Sequence, residues 1–166
     1  MQEARVTSAR LELRTIPPSA AAMLPDDRAG AERILGCALE STWPHAALLE
    51  ILTAQADMRD GAERYVAWAI IDRGTATVIG DIGFRGPPDA DGLIEVGYSV
   101  EPAWRRRGIA GEALTALLAW VEREPGVRGV TAGCAPDNVA SIRLLESHGF
   151  ARTGTADAAG DMRWLR

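Results

Sequence analysis

Apolar positions along the chain follow a period of two over some stretches and a helical period over others, and the changeovers mark its elements. Ala9 to Ile16 places Leu11 and Leu13 two apart, the spacing of a half-buried strand. Pro17 and Pro18 end it, because proline cannot donate to a ladder. Ser19 to Ser41 is alanine-rich and predicts helix interrupted near Pro25. Pro44 suits a helix start, and Leu48, Ile51, Leu52 and Gln55 then mark one stripe of a helix. Tyr65 to Asp72 is almost continuously apolar, Arg73-Gly74-Thr75 turns the chain, and Thr77 to Phe84 follows as a strand. Gly80 and Gly83 within that strand point to a bulge or to a close approach by another group. After the loop Gly86 to Gly92, Leu93 to Val100 alternates cleanly. Ile94, Val96, Tyr98 and Val100 face one way, and Glu95, Gly97 and Ser99 the other.

Beyond Pro102 the pattern becomes helical. Ile109, Ala113, Leu114, Leu117, Leu118 and Val121 share one face, and Pro125-Gly126 stops that helix. Val127 to Ala135 reads as a strand closed by Pro136. Asp137 or Asn138 can cap a helix burying Ile142, Leu144 and Leu145, with Gly149 as its left-handed stop. Phe150 to Arg166 offers two short strands around Ala159-Gly160-Asp161. No repeat or linker divides the chain, so residues 1–166 are read as one α/β domain opening on an antiparallel meander.

Composition narrows the function classes. With 47% apolar and 25% charged residues the chain is an ordinary globular one, and its net charge of −5 argues against a general nucleic-acid binder. All 18 basic residues are arginine, which excludes a Schiff-base lysine and a P-loop. Two cysteines and two histidines, Cys37, Cys134, His45 and His148, are too scattered to form a metal-ligand motif, so no metal is expected. Met1 to Ile16 alternates polar and apolar residues, unlike a signal peptide. Tyr65 to Ile71, the longest strongly apolar run, is too short to span a bilayer. A cytoplasmic protein without a membrane partner is the expectation, as monomer or homodimer.

The segment Val100 to Glu112 carries the chemistry. A strand ends, Arg105, Arg106 and Arg107 follow, and a helix begins near Gly108. A helix start offers unpaired backbone N–H groups and the positive end of a dipole. Gly108, Ala110 and Gly111 let an anion approach that backbone closely, so the turn reads as a pyrophosphate cradle. The plainer alternative is a solvated charge run ahead of an ordinary helix.

Arg105-x-x-Gly108-x-Ala110, following Glu95 to Val100, resembles the acetyl-CoA signature of the GNAT superfamily. Asn138-x-x-Ser141-x-x-Leu144 followed by Gly149-Phe150 resembles its second half. The opening ARLELRTI, Trp43-Pro44 and the segment Gly80 to Asp89 resemble the branch containing ribosomal-protein-alanine N-acetyltransferases. The resemblance implies a mixed, mostly antiparallel sheet, split between the strand ending at Val100 and the strand Val127 to Ala135, with helices on both faces. It also implies an acetyl-CoA-dependent transfer to a primary amine of a small molecule or a protein N-terminus. By the same resemblance, backbone from Arg106 through Ile109 to Gly111 holds the pyrophosphate, Asn138 bonds the pantetheine arm, and the Val100 N–H serves the oxyanion. Asn138 can equally be a helix cap.

For the base, Glu95 is the candidate and Asp81 the runner-up; the plainer reading of Glu95 is an exposed carboxylate on the sheet's outer face. Many family members carry a tyrosine acid where Leu145 stands, and in the branch resembled here Ser141, one turn earlier, substitutes for it. Trp43, His45 and Phe84 with the loop after it are candidate walls for the acceptor, against a plainer reading with Trp43 in the core and His45 exposed. A catalytically silent acetyl-CoA-binding module and a cofactor-free interaction domain are the alternatives.

Overall fold

A computed structural model describes residues 4–56, 58 and 62–166 of the chain. The first half forms β1 (Arg5–Thr7), β2 (Leu11–Thr15), α1 (Pro18–Met23), α2 (Arg28–Leu35), β3 (Ala38–Leu39) and α3 (Ala46–Gln55). There follow β4 (Ala67–Asp72), β5 (Thr77–Phe84), β6 (Leu93–Val100), α4 (Ile109–Val121), β7 (Gly129–Cys134), α5 (Val139–Ser147), β8 (Ala151–Ala156) and β9 (Met162–Leu165). One sheet runs β1-β2-β4-β5-β6-β7-β9-β8, with β3 on β5. Its pairs are antiparallel except β6 with β7 and β3 with β5.

The apolar run at β4 is explained by cover on both faces, which demands apolar residues at every position. Trp68 and Ile70 enter a core with α4 and Leu145 of α5, whereas Ala67, Ala69 and Ile71 enter a second core with α1, α2 and α3. The expected mixed sheet with helices on both faces is therefore found. No helix among the described residues is long and apolar enough to cross a membrane.

Several boundaries differ from the sequence reading. The opening strand starts at Leu11 and is preceded by β1, which pairs back on it in a hairpin. Residues 1–3 of the alternating N-terminal stretch lie outside the described residues. The alanine-rich stretch breaks at Pro25 as expected, but it ends in β3 rather than in helix. Gly36 closes α2 with φ +66°, and Ala38 and Leu39 then pair with Thr77 and Val78. Pro44 precedes α3 instead of starting it, and His45 is the cap: its Nδ1 accepts from the Leu48 N–H at 3.1 Å.

Both readings of Gly80 apply. Ile70 pairs with Gly80 and Ile71 with Val78, so Ile79 is the extra residue of a bulge. A Cβ on Gly80 would lie 2.3 Å from the Ser99 carbonyl oxygen, so only glycine fits. The bulge resets the alternation. Ile79 and Ile82 both enter the α4 core, so Asp81 faces the α3 side of the sheet instead.

Buried Gln55 ties α3 to this sheet. Its amide nitrogen donates to the Phe84 carbonyl at 2.7 Å, and its carbonyl accepts the Ala67 N–H at 2.9 Å. Gln55→Leu strands both backbone groups at about 1–3 kcal/mol each. Tm should fall by roughly 5–15 °C. An unchanged Tm in thermal denaturation would show that these groups find other partners.

Candidate active site

The site begins where two strands part. β6 pairs with β7 from Leu93 to Val96 and no further. Hydrogen bonds from Arg85 N to Glu95 O (3.1 Å) and from Glu101 N to Ile79 O (2.9 Å) fix which residues of β6 bond to β5. Tyr98 and Val100, between them, turn their N–H and C=O groups the other way, toward the split. Arg105 Nε donates to the Val100 carbonyl at 2.8 Å, leaving the Val100 N–H on the open edge. A cleft of about 550 Å³ lies along this edge and is bounded by Arg105, Arg106, Gly108 to Gly111 and α5.

The turn into α4 is built as an amide nest. Arg106 and Gly108 have φ of +60° and +74°, and Gly108 caps α4 without a side-chain bond. The first amides of the helix therefore have no intrahelical partner. Arg107 is different from its neighbours: its guanidinium stacks over Trp104, 5.1 Å from the ring centre, and its side chain does not line the cleft. Across the cleft, Asn138 caps α5 by accepting from the Ser141 N–H at 3.1 Å, and it also lines the cleft.

A second cleft of about 320 Å³ lies on the α3 side and shares Tyr98, Ser99, Asn138 and Ser141 with the first. Gly83 pairs with Gly97 across β5 and β6, and Gly133 of β7 lies beside them in the cleft. The cleft forms a trough across the sheet at these positions, and Gly97 is the one of the three whose missing side chain leaves it open. A Cβ on Gly97 would meet nothing within 4 Å, so it would project into open space.

Asp81 ends this trough. Its Oδ1 accepts from Ser99 Oγ at 3.0 Å and from Trp43 Nε1 at 3.2 Å, and His45 Nε2 is 3.2 Å from the same atom. Asp81 Oδ2 takes no hydrogen bond among the described residues. Since His45 Nδ1 is an acceptor, the proton of the neutral ring belongs on Nε2, facing Asp81. The Asp81 carboxylate, 3.2 Å from Nε2, raises the His45 pKa above the usual imidazole range, against the opposing effect of burial.

Other candidates fare differently. Glu95 is on the expected face, but its carboxylate is not free: Arg163 holds both oxygens at 3.2 and 3.0 Å, and Arg85 Nε is 3.0 Å away. Trp43 is fully buried in the α1–α3 core, so it supports Asp81 from behind and does not wall the cleft. His45 and Phe84 do line it. Leu145 is fully buried, which removes that position from the site.

The alternation along Leu93 to Val100 places Tyr98 on the apolar face. Its ring packs there, burial pushes its pKa up, and together with Ser141 it lines both clefts where they meet. Only the glycine at 80 hinted that Asp81 would be re-aimed.

Comparison with known proteins agrees with this architecture. Residues 10–151 match the family described as acetyltransferase (GNAT) domain. An uncharacterized N-acetyltransferase of Bacillus subtilis, YjdG, is 32% identical over 146 residues, 85% of this chain and 86% of that protein. The ribosomal protein uS5-alanine N-acetyltransferase of Escherichia coli is 34% identical over 61 residues, 37% of this chain and 31% of that protein. Among solved structures, the ribosomal L7/L12 α-N-protein acetyltransferase RimL in complex with coenzyme A superposes with a TM-score of 0.68. It is 20% identical and covers 98% of this chain and 97% of its own. The sheet split at β6 and β7 and the match over residues 10–151 lead to one assignment: this chain belongs to the GNAT family of acetyltransferases.

Proposed function

We propose that this chain transfers an acetyl group from acetyl-CoA to a primary amine by direct attack. The observation that carries this reading is the meeting of two clefts at Tyr98, Ser99, Asn138 and Ser141, beside an unpaired strand edge. The first cleft suits a long anionic donor. Amides from Arg106 through Ile109 and Ala110 to Gly111 would hold the pyrophosphate, with Arg105 and Arg106 adding charge. The Tyr98–Val100 edge and the Asn138 side-chain amide would take the pantetheine arm. Bound there, acetyl-CoA supplies an activated thioester. The Val100 N–H is the donor for its carbonyl oxygen as negative charge develops.

The acceptor amine enters along the glycine trough, passing His45 and Phe84. Asp81 is a better base than Glu95. Ser99 and Trp43 hold its Oδ1 in place by hydrogen bonds, while Oδ2 is left to accept a proton from the amine, directly or through one water. Ser141, which lines both clefts beside Tyr98, is the hydroxyl available to the departing thiolate. A thiol pKa near about 8.5 makes that help modest. The acceptor is the amine of a small molecule or of a protein N-terminus.

Three outcomes test the reading. Acetyl-CoA at about a hundred times its Kd should add about 2.7 kcal/mol of stability. That is a Tm rise on the order of 5–10 °C for this length, and no rise at millimolar acetyl-CoA would end the assignment. Asp81→Asn should lower kcat by about 10²–10⁴-fold at unchanged acetyl-CoA affinity, with Glu95→Gln much milder. Removing that carboxylate also removes what favours the imidazolium, so the His45 titration followed by NMR should move to lower pH. Equal kcat losses in the two variants, or the larger loss in Glu95→Gln, would return the base to Glu95. Gly97→Val should raise the acceptor KM by about tenfold or more, since a side chain there fills the trough, while acetyl-CoA binding holds. An unchanged KM would move the acceptor elsewhere.

A further inference from the structure

The N-terminal ARLELRTI segment has no part in the site as described, yet its first arginine reaches the turn into α4. Glu112 lies in the first turn of α4 and is bonded back onto the β1–β2 turn. Its Oε1 accepts from Ser8 Oγ at 2.6 Å and from the Arg10 N–H at 2.8 Å, and its Oε2 accepts from Arg10 Nε at 2.7 Å. The same guanidinium donates through Nη1 to the Arg107 carbonyl at 2.9 Å. Burial pushes the Glu112 carboxyl up, but the Ser8 and Arg10 bonds outweigh it and hold the group below the usual range. Glu112 is therefore a carboxylate at a helix N-terminus, competing for the positive end that an incoming anion would use.

We infer that Arg10 is a positioning residue for the acyl donor. It neutralises Glu112 at the start of α4, and it anchors the Arg107 carbonyl so that the amides after it face the cleft. Ser8 and the Arg10 backbone add two further donors, which keep the carboxylate turned away from the cleft. The inference rests on the reading that the pyrophosphate lies on the Arg106 to Gly111 turn.

Calorimetry with acetyl-CoA on four proteins tests it: wild type, Arg10→Ala, Glu112→Gln and the double variant. Arg10→Ala leaves an uncompensated carboxylate beside the bound anion, so acetyl-CoA should bind about tenfold more weakly. The acceptor KM should change little, and the ligand-free Tm should fall by about a few degrees, because the side-chain bonds to Glu112 and to the Arg107 carbonyl are lost. Adding Glu112→Gln to Arg10→Ala should recover most of the lost affinity, because the repelling charge is gone. A pair that serves only to brace the fold predicts the opposite, since the second substitution removes further bonds and deepens the loss. Arg10→Ala at wild-type affinity, or a double variant no better than Arg10→Ala, would overturn the proposal while leaving the donor site intact. A wild type that does not bind acetyl-CoA would overturn the underlying reading and this inference with it.

Discussion

The structure depends on a pairing that is not completed. Strand interiors satisfy their backbone groups by laddering, and buried amides without partners are costly. Here β6 and β7 ladder from Leu93 to Val96 and then part, so Tyr98 and Val100 face open space. The strands can diverge because each has another attachment: β6 keeps β5 on its far side, and β7 keeps β9. Arg105 satisfies the Val100 carbonyl, which leaves donors rather than acceptors most exposed at that end of the edge. Such an edge favours a ligand that brings its own amides and a polarised carbonyl.

The two sides of the split are made by different devices. Along the cleft at the start of α4, local geometry dominates: two residues at positive φ and a helix start place several N–H groups on one surface. Along the cleft on the α3 side, the sheet itself is the device. A one-residue bulge re-aims Asp81, and Gly97 leaves out the side chain that would otherwise project into the trough. The two carboxylates on that face then take different states. Glu95 is engaged by two guanidiniums, the Arg163 pair being the forked kind that is hard to undo. Asp81 has one oxygen fixed by neighbours and the other available, the arrangement a proton acceptor needs.

Arg10 and Glu112 extend this division of labour to the edge of the domain. The hairpin that begins the described chain, β1 with β2, packs its turn against the start of α4. An acidic residue in a first helical turn ordinarily stabilises the helix. At the proposed anion site it would also compete, and the contacts from Ser8 and Arg10 would reconcile the two effects.

The sequence by itself determined the element order, the switch from meander to strand–helix alternation, and the position of the arginine- and glycine-bearing turn into α4. Those features rest on local chemistry: period two at Leu93 to Val100, helical spacing from Ile109 to Val121, and small residues at Gly108 and Gly111. It also flagged Gly80, because glycine within a strand reports a crowded backbone. It could not decide between Glu95 and Asp81. Their difference comes from Arg163, 68 positions from Glu95, and from Trp43, 38 positions from Asp81. Nor could it find β1 and β3, which are too short to show a period and exist because a neighbouring edge accepts them. The Arg10–Glu112 contact spans 102 positions. Only the tertiary structure decided which charges are paired and which are free, because pairing depends on where the sheet brings distant side chains together.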